Sequence, residues 1–185
     1  MTTRPTELRT DRLQLRPFRV DDVPDALAYR NDPDFVRFLP HVPHPFTQQD
    51  AEAFVARNIS ESWDTSPVFA VVLNDRLIGT VNFDVDRPRR SAMLGYALGR
   101  SWWGCGLATE AAGAAMAWAT KTYDLKRIWA STDVRHVRSV RVLEKLGMQR
   151  ESVRLADHPG RDGAMVDEVV YGIDVVNGMD GGIRN

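Results

Sequence analysis

Alternating apolar and polar positions predict the strands of this chain. In residues 8–19, Leu13 and Leu15 alternate with Gln14 and Arg16, the two-residue period of a half-buried strand. The same reasoning predicts further strands at residues 68–73, 77–85, 91–98, 127–132, 149–155 and 165–175. Asn74-Asp75 predicts a tight hairpin turn between two of them, since both residue types tolerate a positive φ.

Helix start and stop signals predict four helices between these strands. Asp21 or Asp22 can cap a helix that reaches about residue 30, and Thr47 with Asp50 forms a capping-box pattern. The predicted helices span residues 21–30, 47–59, 106–122 and 136–146, the last closed by Gly147. Residues 31–46 are rich in proline and aromatic side chains and are predicted to be a loop. That loop either lines a substrate mouth or folds back onto the core.

The predicted order is β-α-α-β-β-β-α-β-α-β-β, which favours an α+β fold with a mixed sheet. The chain has 185 residues, enough for one domain, assigned to residues 1–177 with a loose tail at 178–185. A net charge of −1 gives no electrostatic signature for nucleic acid or a membrane surface. No apolar run approaches the roughly 18 to 20 residues needed to span a bilayer, the first five residues lack the apolar core of a signal peptide, and one cysteine excludes an internal disulfide framework. We therefore expect a protein of the reducing cytoplasm without a metal site.

A glycine turn stands between the strand at residues 91–98 and the alanine-rich helix that follows. A helix start offers unpaired backbone N–H groups and the positive end of the helix dipole, and glycines let a ligand approach closely. The geometry suits a phosphate or pyrophosphate. The spacing Trp103-x-x-Gly106-x-Ala108, followed by Thr109-Glu110, resembles the cofactor loop of the GNAT acetyl-CoA-dependent N-acetyltransferases, and a Trp at its start is typical of the RimJ/RimL-like branch.

Two further blocks support this resemblance. Residues 139–148 (SVRVLEKLGM) resemble the second conserved block of the family, and residues 166–171 (VDEVVY) resemble its closing strand. The resemblance implies a mixed, mostly antiparallel sheet that splays apart around the cofactor, with helices on both faces. It also implies acetyl-CoA as cofactor, CoA as product and direct attack by an amine. The implied cofactor-binding residues are Ala97, Leu98, Trp103, Gly104, Cys105, Gly106, Leu107, Ala108, Thr109, His136 and Ser139.

The resemblance also implies catalytic roles. The backbone N–H of Ala97 is expected to stabilise the oxyanion on the acetyl carbonyl. The tyrosine that many relatives use as the acid falls at Leu143, so Ser139 is the expected proton donor to the thiolate. A hydroxyl that satisfies local backbone groups is the alternative for Ser139. His136 stands where the family has Asn, and either contacts the cofactor or only ends a helix.

The general base is left open by the sequence. Met93 occupies the position where relatives often carry a carboxylate. Asp84, Glu110, Asp133, Glu168 or a water chain are the remaining candidates. A low-pKa amine is therefore the expected acceptor, most simply the α-amine of a protein or peptide, with small-molecule amines as the alternative.

Three other readings compete with this one. Cys105 near a helix start could support an acyl-cysteine route. Gly104-x-Gly106 followed by a strand ending in Asp133 partly matches a dinucleotide fingerprint, although Thr109 stands at the third glycine position. A non-catalytic CoA-binding domain would also fit the missing tyrosine and acid.

A cluster of basic residues lies on or near the last predicted helix. These residues either meet the CoA 3′-phosphate or form a solvated face: Arg135, Arg138, Arg141 and Lys145. A monomer or homodimer is expected.

Overall fold

Eight strands form one mixed sheet in the computed structural model, which describes residues 7–175. The spatial order is β1-β2-β3-β4-β5-β6-β8-β7, and only the β5–β6 pair is parallel. The strands are β1 (Leu8–Arg9), β2 (Gln14–Arg16), β3 (Val68–Leu73), β4 (Arg76–Asp86), β5 (Ser91–Leu98), β6 (Arg127–Asp133), β7 (Gln149–Pro159) and β8 (Met165–Asp174). The predicted α+β class with a mostly antiparallel sheet is confirmed. The predicted tail at residues 178–185 lies outside the described residues.

Helices cover both faces of this sheet. They are α1 (Val23–Arg30), α2 (Pro33–Val36), α3 (Gln48–Ser60), α4 (Leu107–Tyr123) and α5 (Val137–Lys145). On one face, Ala111, Ala112, Ala115 and Ala119 of α4 are fully buried, because small side chains let the helix approach the strands closely. On the other face, α1, α2 and α3 enclose a second core that contains Phe35, Phe46 and Phe54. Within residues 7–175 no helix has the length and apolarity to cross a membrane.

Most predicted elements are confirmed, and the corrections lie in the first 46 residues. The single strand predicted at residues 8–19 is instead the hairpin β1–β2, whose turn is held by the Glu110 carboxylate accepting from the Thr10 hydroxyl and the Arg12 N–H. The predicted loop contains the short helix α2, which Asp32 caps with its side chain. Asp22 stands before α1 but does not cap it, since its carboxylate pairs with buried Arg16.

The sheet opens between β5 and β6. The two strands pair only where Ser91–Met93 run beside Arg127–Trp129. Beyond this point β5 stays paired with β4 and β6 with β8, so the second half of β5 has a free edge facing a gap. The splay expected from the sequence resemblance is therefore present.

Candidate active site

A cavity of about 1450 Å³ occupies the gap and reaches both faces of the sheet. Side chains alternate along β5: Tyr96 packs with the core under α4 and α5, whereas Ala97 packs with the core under α1 to α3. The lining includes Phe54 of α3 on one face and Leu107 and Leu143 on the other. Two molecules can therefore meet in the gap from opposite sides of the sheet.

Ten of the eleven cofactor-binding residues expected from the sequence line this cavity, as do Asp133, Glu168 and three cations of α5. The ten are Ala97, Leu98, Trp103, Gly104, Gly106, Leu107, Ala108, Thr109, His136 and Ser139. Cys105 is exposed and stands outside the lining, and its thiol contacts the Trp103 carbonyl. The arrangement gives no support to an acyl-cysteine route.

The glycine turn has the geometry that an anion requires. Gly104 and Gly106 adopt φ angles of +77° and +78°, a conformation that disfavours other residues. Gly106 stands at the start of α4 and no side chain caps this helix; the first backbone bond runs from the Glu110 N–H to Gly106. The N–H groups of residues 107–109 therefore have no partner within the helix. A Cβ on Gly104 would meet no atom within 4 Å, so the space beside the turn is open. These residues fit the pyrophosphate of CoA.

Two side chains hold the turn in place. Arg12 donates from Nη1 to the Cys105 carbonyl at 2.9 Å and from Nε to the Glu110 carboxylate at 2.6 Å. The Trp103 indole N–H donates to the Leu98 carbonyl at 2.6 Å, and the Arg138 guanidinium lies 5.0 Å from the centre of the Trp103 ring. The tryptophan that opens the sequence motif thus locks the turn onto the end of β5.

The register of β5 decides which backbone groups face the gap. The Gly99 N–H donates to Ile78 of β4, and the Arg90 carbonyl accepts from Lys126 beside β6. Because hydrogen-bonding direction alternates along a strand, Ala97 faces its partner Thr80 on β4, whereas Tyr96 and Leu98 face the gap. This register does not fit the expectation that the Ala97 N–H is free for an acetyl carbonyl.

Ser139 lies in the first turn of α5 and is tied to β5 by a side chain that the sequence analysis did not single out. The Tyr96 hydroxyl is 2.8 Å from the Ser139 Oγ and 3.0 Å from the Ser139 carbonyl oxygen. Burial raises the pKa of Tyr96 to about 12, although the bond to Ser139 opposes the rise, so the phenol keeps its proton at neutral pH. The alternation of side chains along β5 places Tyr96 on the α5 side of the sheet, and this alternation is the sequence signal that could have identified it.

His136 begins α5. Its Nδ1 accepts from the Ser139 N–H at 2.9 Å, and its ring packs edge-on against Phe38 with centroids 4.1 Å apart. Burial lowers the pKa of His136, which favours the neutral ring that this bond requires. Because Nδ1 is occupied, Nε2 is the nitrogen that can meet a ligand.

The four candidate bases have different surroundings. Glu110 braces the glycine turn, and Asp84 lies with Met93 in a separate pocket beside Trp129. Asp133 is buried and accepts hydrogen bonds from Nε and Nη2 of Arg135. Burial raises the pKa of this carboxyl, but the bonds from Arg135 outweigh it and hold the pKa below its usual value. Glu168 lines the cavity.

Comparisons with known proteins agree with this geometry. Residues 12–149 match the acetyltransferase (GNAT) domain family. The N-acetyltransferase YnaD of Bacillus subtilis is 32% identical over 146 residues, 78% of this chain and 83% of the relative. The N-acetyltransferase p20 of Bacillus licheniformis is 27% identical over 169 residues, which cover 90% of this chain and 94% of the relative.

Solved structures share the fold. A GNAT-family acetyltransferase from Bacillus anthracis superposes with a TM-score of 0.80 at 28% identity, covering 91% of this chain and 98% of its own. A ribosomal-protein-alanine acetyltransferase from Vibrio fischeri gives a TM-score of 0.80 at 22% identity over 92% and 97%. RimL, a ribosomal-protein α-N-acetyltransferase with bound coenzyme A, gives a TM-score of 0.79 at 19% identity, covering 93% of this chain and 97% of its own.

The chain therefore belongs to the GNAT family of acetyltransferases. It is an acetyl-CoA-dependent N-acetyltransferase, and acetyl-CoA is the acyl donor for its amine substrate.

Proposed function

We propose that this enzyme acetylates the α-amino group at the N-terminus of a protein or peptide. One observation carries the proposal: in the described chain, neither β4 nor β5 places a carboxylate in the cavity. An amine must be neutral to attack a thioester. At pH 7, removing the proton costs about 4.6 kcal/mol for a lysine of pKa about 10.4, against roughly 1 to 1.4 kcal/mol for an α-amine of pKa about 7.7 to 8.0. A site without a nearby strong base favours the α-amine.

The fold of ribosomal-protein acetyltransferases supports the same acceptor. RimL and the alanine acetyltransferase of Vibrio fischeri share the architecture over more than nine-tenths of this chain. We assign the face covered by α1, α2 and α3 to the acceptor, since the glycine turn and α5 line the cavity on the opposite face.

On the cofactor side, backbone groups carry the binding. The N–H groups of residues 107–109 would bind the pyrophosphate, and the exposed cations of α5 (Arg138, Arg141 and Lys145) would lie beside the remaining phosphate. Acetyl-CoA supplies the thioester carbonyl that the amine attacks. The Leu98 N–H faces the gap and can donate to the arm of the cofactor.

Near the reacting atoms we assign three roles. The Tyr96 N–H, which faces the gap, would replace Ala97 as the donor to the acetyl oxygen. The Ser139 hydroxyl would give its proton to the departing sulfur while the Tyr96 hydroxyl orients it. Glu168 would receive the amine proton through water; Arg154 Nη1 lies 3.9 Å and His158 Nδ1 4.0 Å from its carboxylate, both beyond hydrogen-bond distance.

Matched peptides test this function. One carries a free N-terminal alanine and no lysine; the other is N-terminally blocked and carries a single lysine. At pH 7 the kcat/KM for the α-amine is expected to exceed that for the ε-amine by on the order of 100-fold, from the difference in deprotonation cost. The pH profile should rise toward the pKa of the α-amine. Equal rates on the two peptides, or a profile set by an enzyme group well below pH 7, would contradict the proposal.

A further inference from the structure

Within the described part of the chain, Arg30 is a buried cation without an anion. It is the last residue of α1, is only 7% exposed and lines the cavity. Its Nε is buried without a hydrogen-bond partner, and no carboxylate between residues 7 and 175 forms an ion pair with it. Buried charges in proteins are ordinarily paired, because an unpaired one is costly to remove from water. The other buried arginine of the described chain, Arg16, follows this rule through Asp22.

Aromatic rings surround Arg30, but none of these four rings carries a negative charge, and only the Tyr29 hydroxyl offers it an oxygen. The guanidinium carbon lies 3.9 Å from the ring centre of Phe54, 5.2 Å from Phe46, 5.4 Å from Phe35 and 5.9 Å from Tyr29. These cation–π contacts fix the position of the charge. Phenylalanine rings offer no oxygen acceptor for its N–H donors, however. Burial raises the pKa of the Tyr29 hydroxyl, with Arg30 opposing the rise, so this neighbour is neutral and supplies no negative charge.

Arg30 stands on the face assigned to the acceptor. Phe35, Phe46 and Phe54, which surround it, belong to the same core as Ala97 of β5. Arg37 and Arg57 also line the cavity, are exposed and form no ion pair in the described chain. Glu61 at the end of α3 also lines the cavity, as do Asp157 and Asp162 of the β7–β8 hairpin. Within the described chain none of these carboxylates forms an ion pair with Arg30, Arg37 or Arg57.

We propose that Arg30 binds an anionic group, a carboxylate or a phosphate, carried by the amine acceptor. The planar guanidinium donates two parallel N–H bonds to either group, and the fixed aromatic surroundings leave little motion to be lost on binding. The identification of the ligand as the acceptor rests on the proposed function. The acceptor would thus span from the gap beside β5, where its amine reacts, to Arg30, where its anion is held.

Acceptor pairs that differ only in the anion test the subsite. The probes are the peptide amides Ala-Glu-Ala and Ala-Gln-Ala for a side-chain carboxylate, and phosphoethanolamine against ethanolamine for a phosphate. In the unmodified enzyme the kcat/KM of at least one anionic member is expected to exceed that of its neutral partner by about 30-fold or more. The pair that shows the preference identifies the anion.

Arg30→Met should bring that ratio close to 1 while changing the rate on the neutral acceptor by less than about threefold. Arg30→Lys keeps the charge without the planar fork and should give an intermediate ratio. Arg37→Met, a change at an exposed arginine of the same wall, should retain most of the preference. If Arg30→Met fails to fold, the proposal is tested by the selectivity of the lysine variant and of the unmodified enzyme. If the unmodified enzyme acetylates the two members of each pair at the same measurable rate, the proposal is overturned.

Calorimetry separates this inference from the proposed function. The same four probes are titrated into protein saturated with CoA, so that binding is read without turnover. Suppose that no α-amine is acetylated, but an anionic probe binds more tightly than its neutral partner and does so only when Arg30 is present. That result would support the anion subsite and contradict the proposed acceptor. Equal binding within both pairs removes the subsite even if α-amines are acetylated.

Discussion

Replacing Tyr96 by Phe removes one hydroxyl from the site and tests how Ser139 works. That hydroxyl lies 2.8 Å from the Ser139 Oγ and 3.0 Å from its carbonyl oxygen, and it is protonated at neutral pH. A net hydrogen bond contributes about 0.5–1.5 kcal/mol, so losing its orienting effect should lower kcat by roughly 2- to 13-fold. Ser139→Ala removes the proton donor itself and should lower kcat by about 100-fold or more.

A double-mutant cycle distinguishes the two roles. If Tyr96 acts through Ser139, the double variant should be no slower than Ser139→Ala alone. Acetyl-CoA affinity, measured by calorimetry, should stay within about threefold throughout. Tyr123→Phe is the matched control, since its buried hydroxyl donates to the Trp63 carbonyl away from the cavity and should change stability but not kcat. A larger loss for Tyr96→Phe than for Ser139→Ala would make the phenol the proton donor and refute our assignment.

Two further predictions concern the glycine turn and the start of α5. Gly106→Val should weaken acetyl-CoA binding about tenfold or more in calorimetry, because φ is +78° at this position and a β-branched side chain disfavours that angle. Gly113→Ala in α4 is the control and should bind acetyl-CoA normally, since a Cβ there makes an ordinary 3.6 Å contact. Equal affinities for the two variants would refute the role of the turn. His136→Asn should reduce the pH dependence of stability. The folded pKa of His136 is lowered, so its contribution is full above about pH 6.5 and declines as pH falls below that value. Urea unfolding at pH 7.5 and 5.5 should show a smaller loss of stability for the variant than for the unmodified protein, and an equal loss would contradict the prediction.

Several elements of this structure could be predicted from the sequence alone because local interactions determine them. The strands at Val68–Leu73 and Ser91–Leu98 follow directly from the pattern of their residues, and Asn74 and Asp75 adopt the positive φ expected of the turn between β3 and β4. Thr47 and Asp50 form the predicted capping box. In each case the residues that fix the conformation lie within a few positions of one another, so their order in the chain carries the information.

Only the tertiary structure shows which groups around the gap are already engaged by other parts of the chain. Glu110 braces the β1–β2 turn because the fold brings Arg12 to its carboxylate across 98 residues. Tyr96 reaches Ser139 across 43 residues. Strand pairing sets which N–H groups of β5 are already used, and a one-residue step reverses their direction, so the Ala97 N–H faces β4 and the Tyr96 N–H faces the gap. Arg30 shows the same dependence: its sequence neighbours do not reveal that it is buried among rings without a carboxylate, since burial and pairing are set by residues brought together from separate elements of the fold.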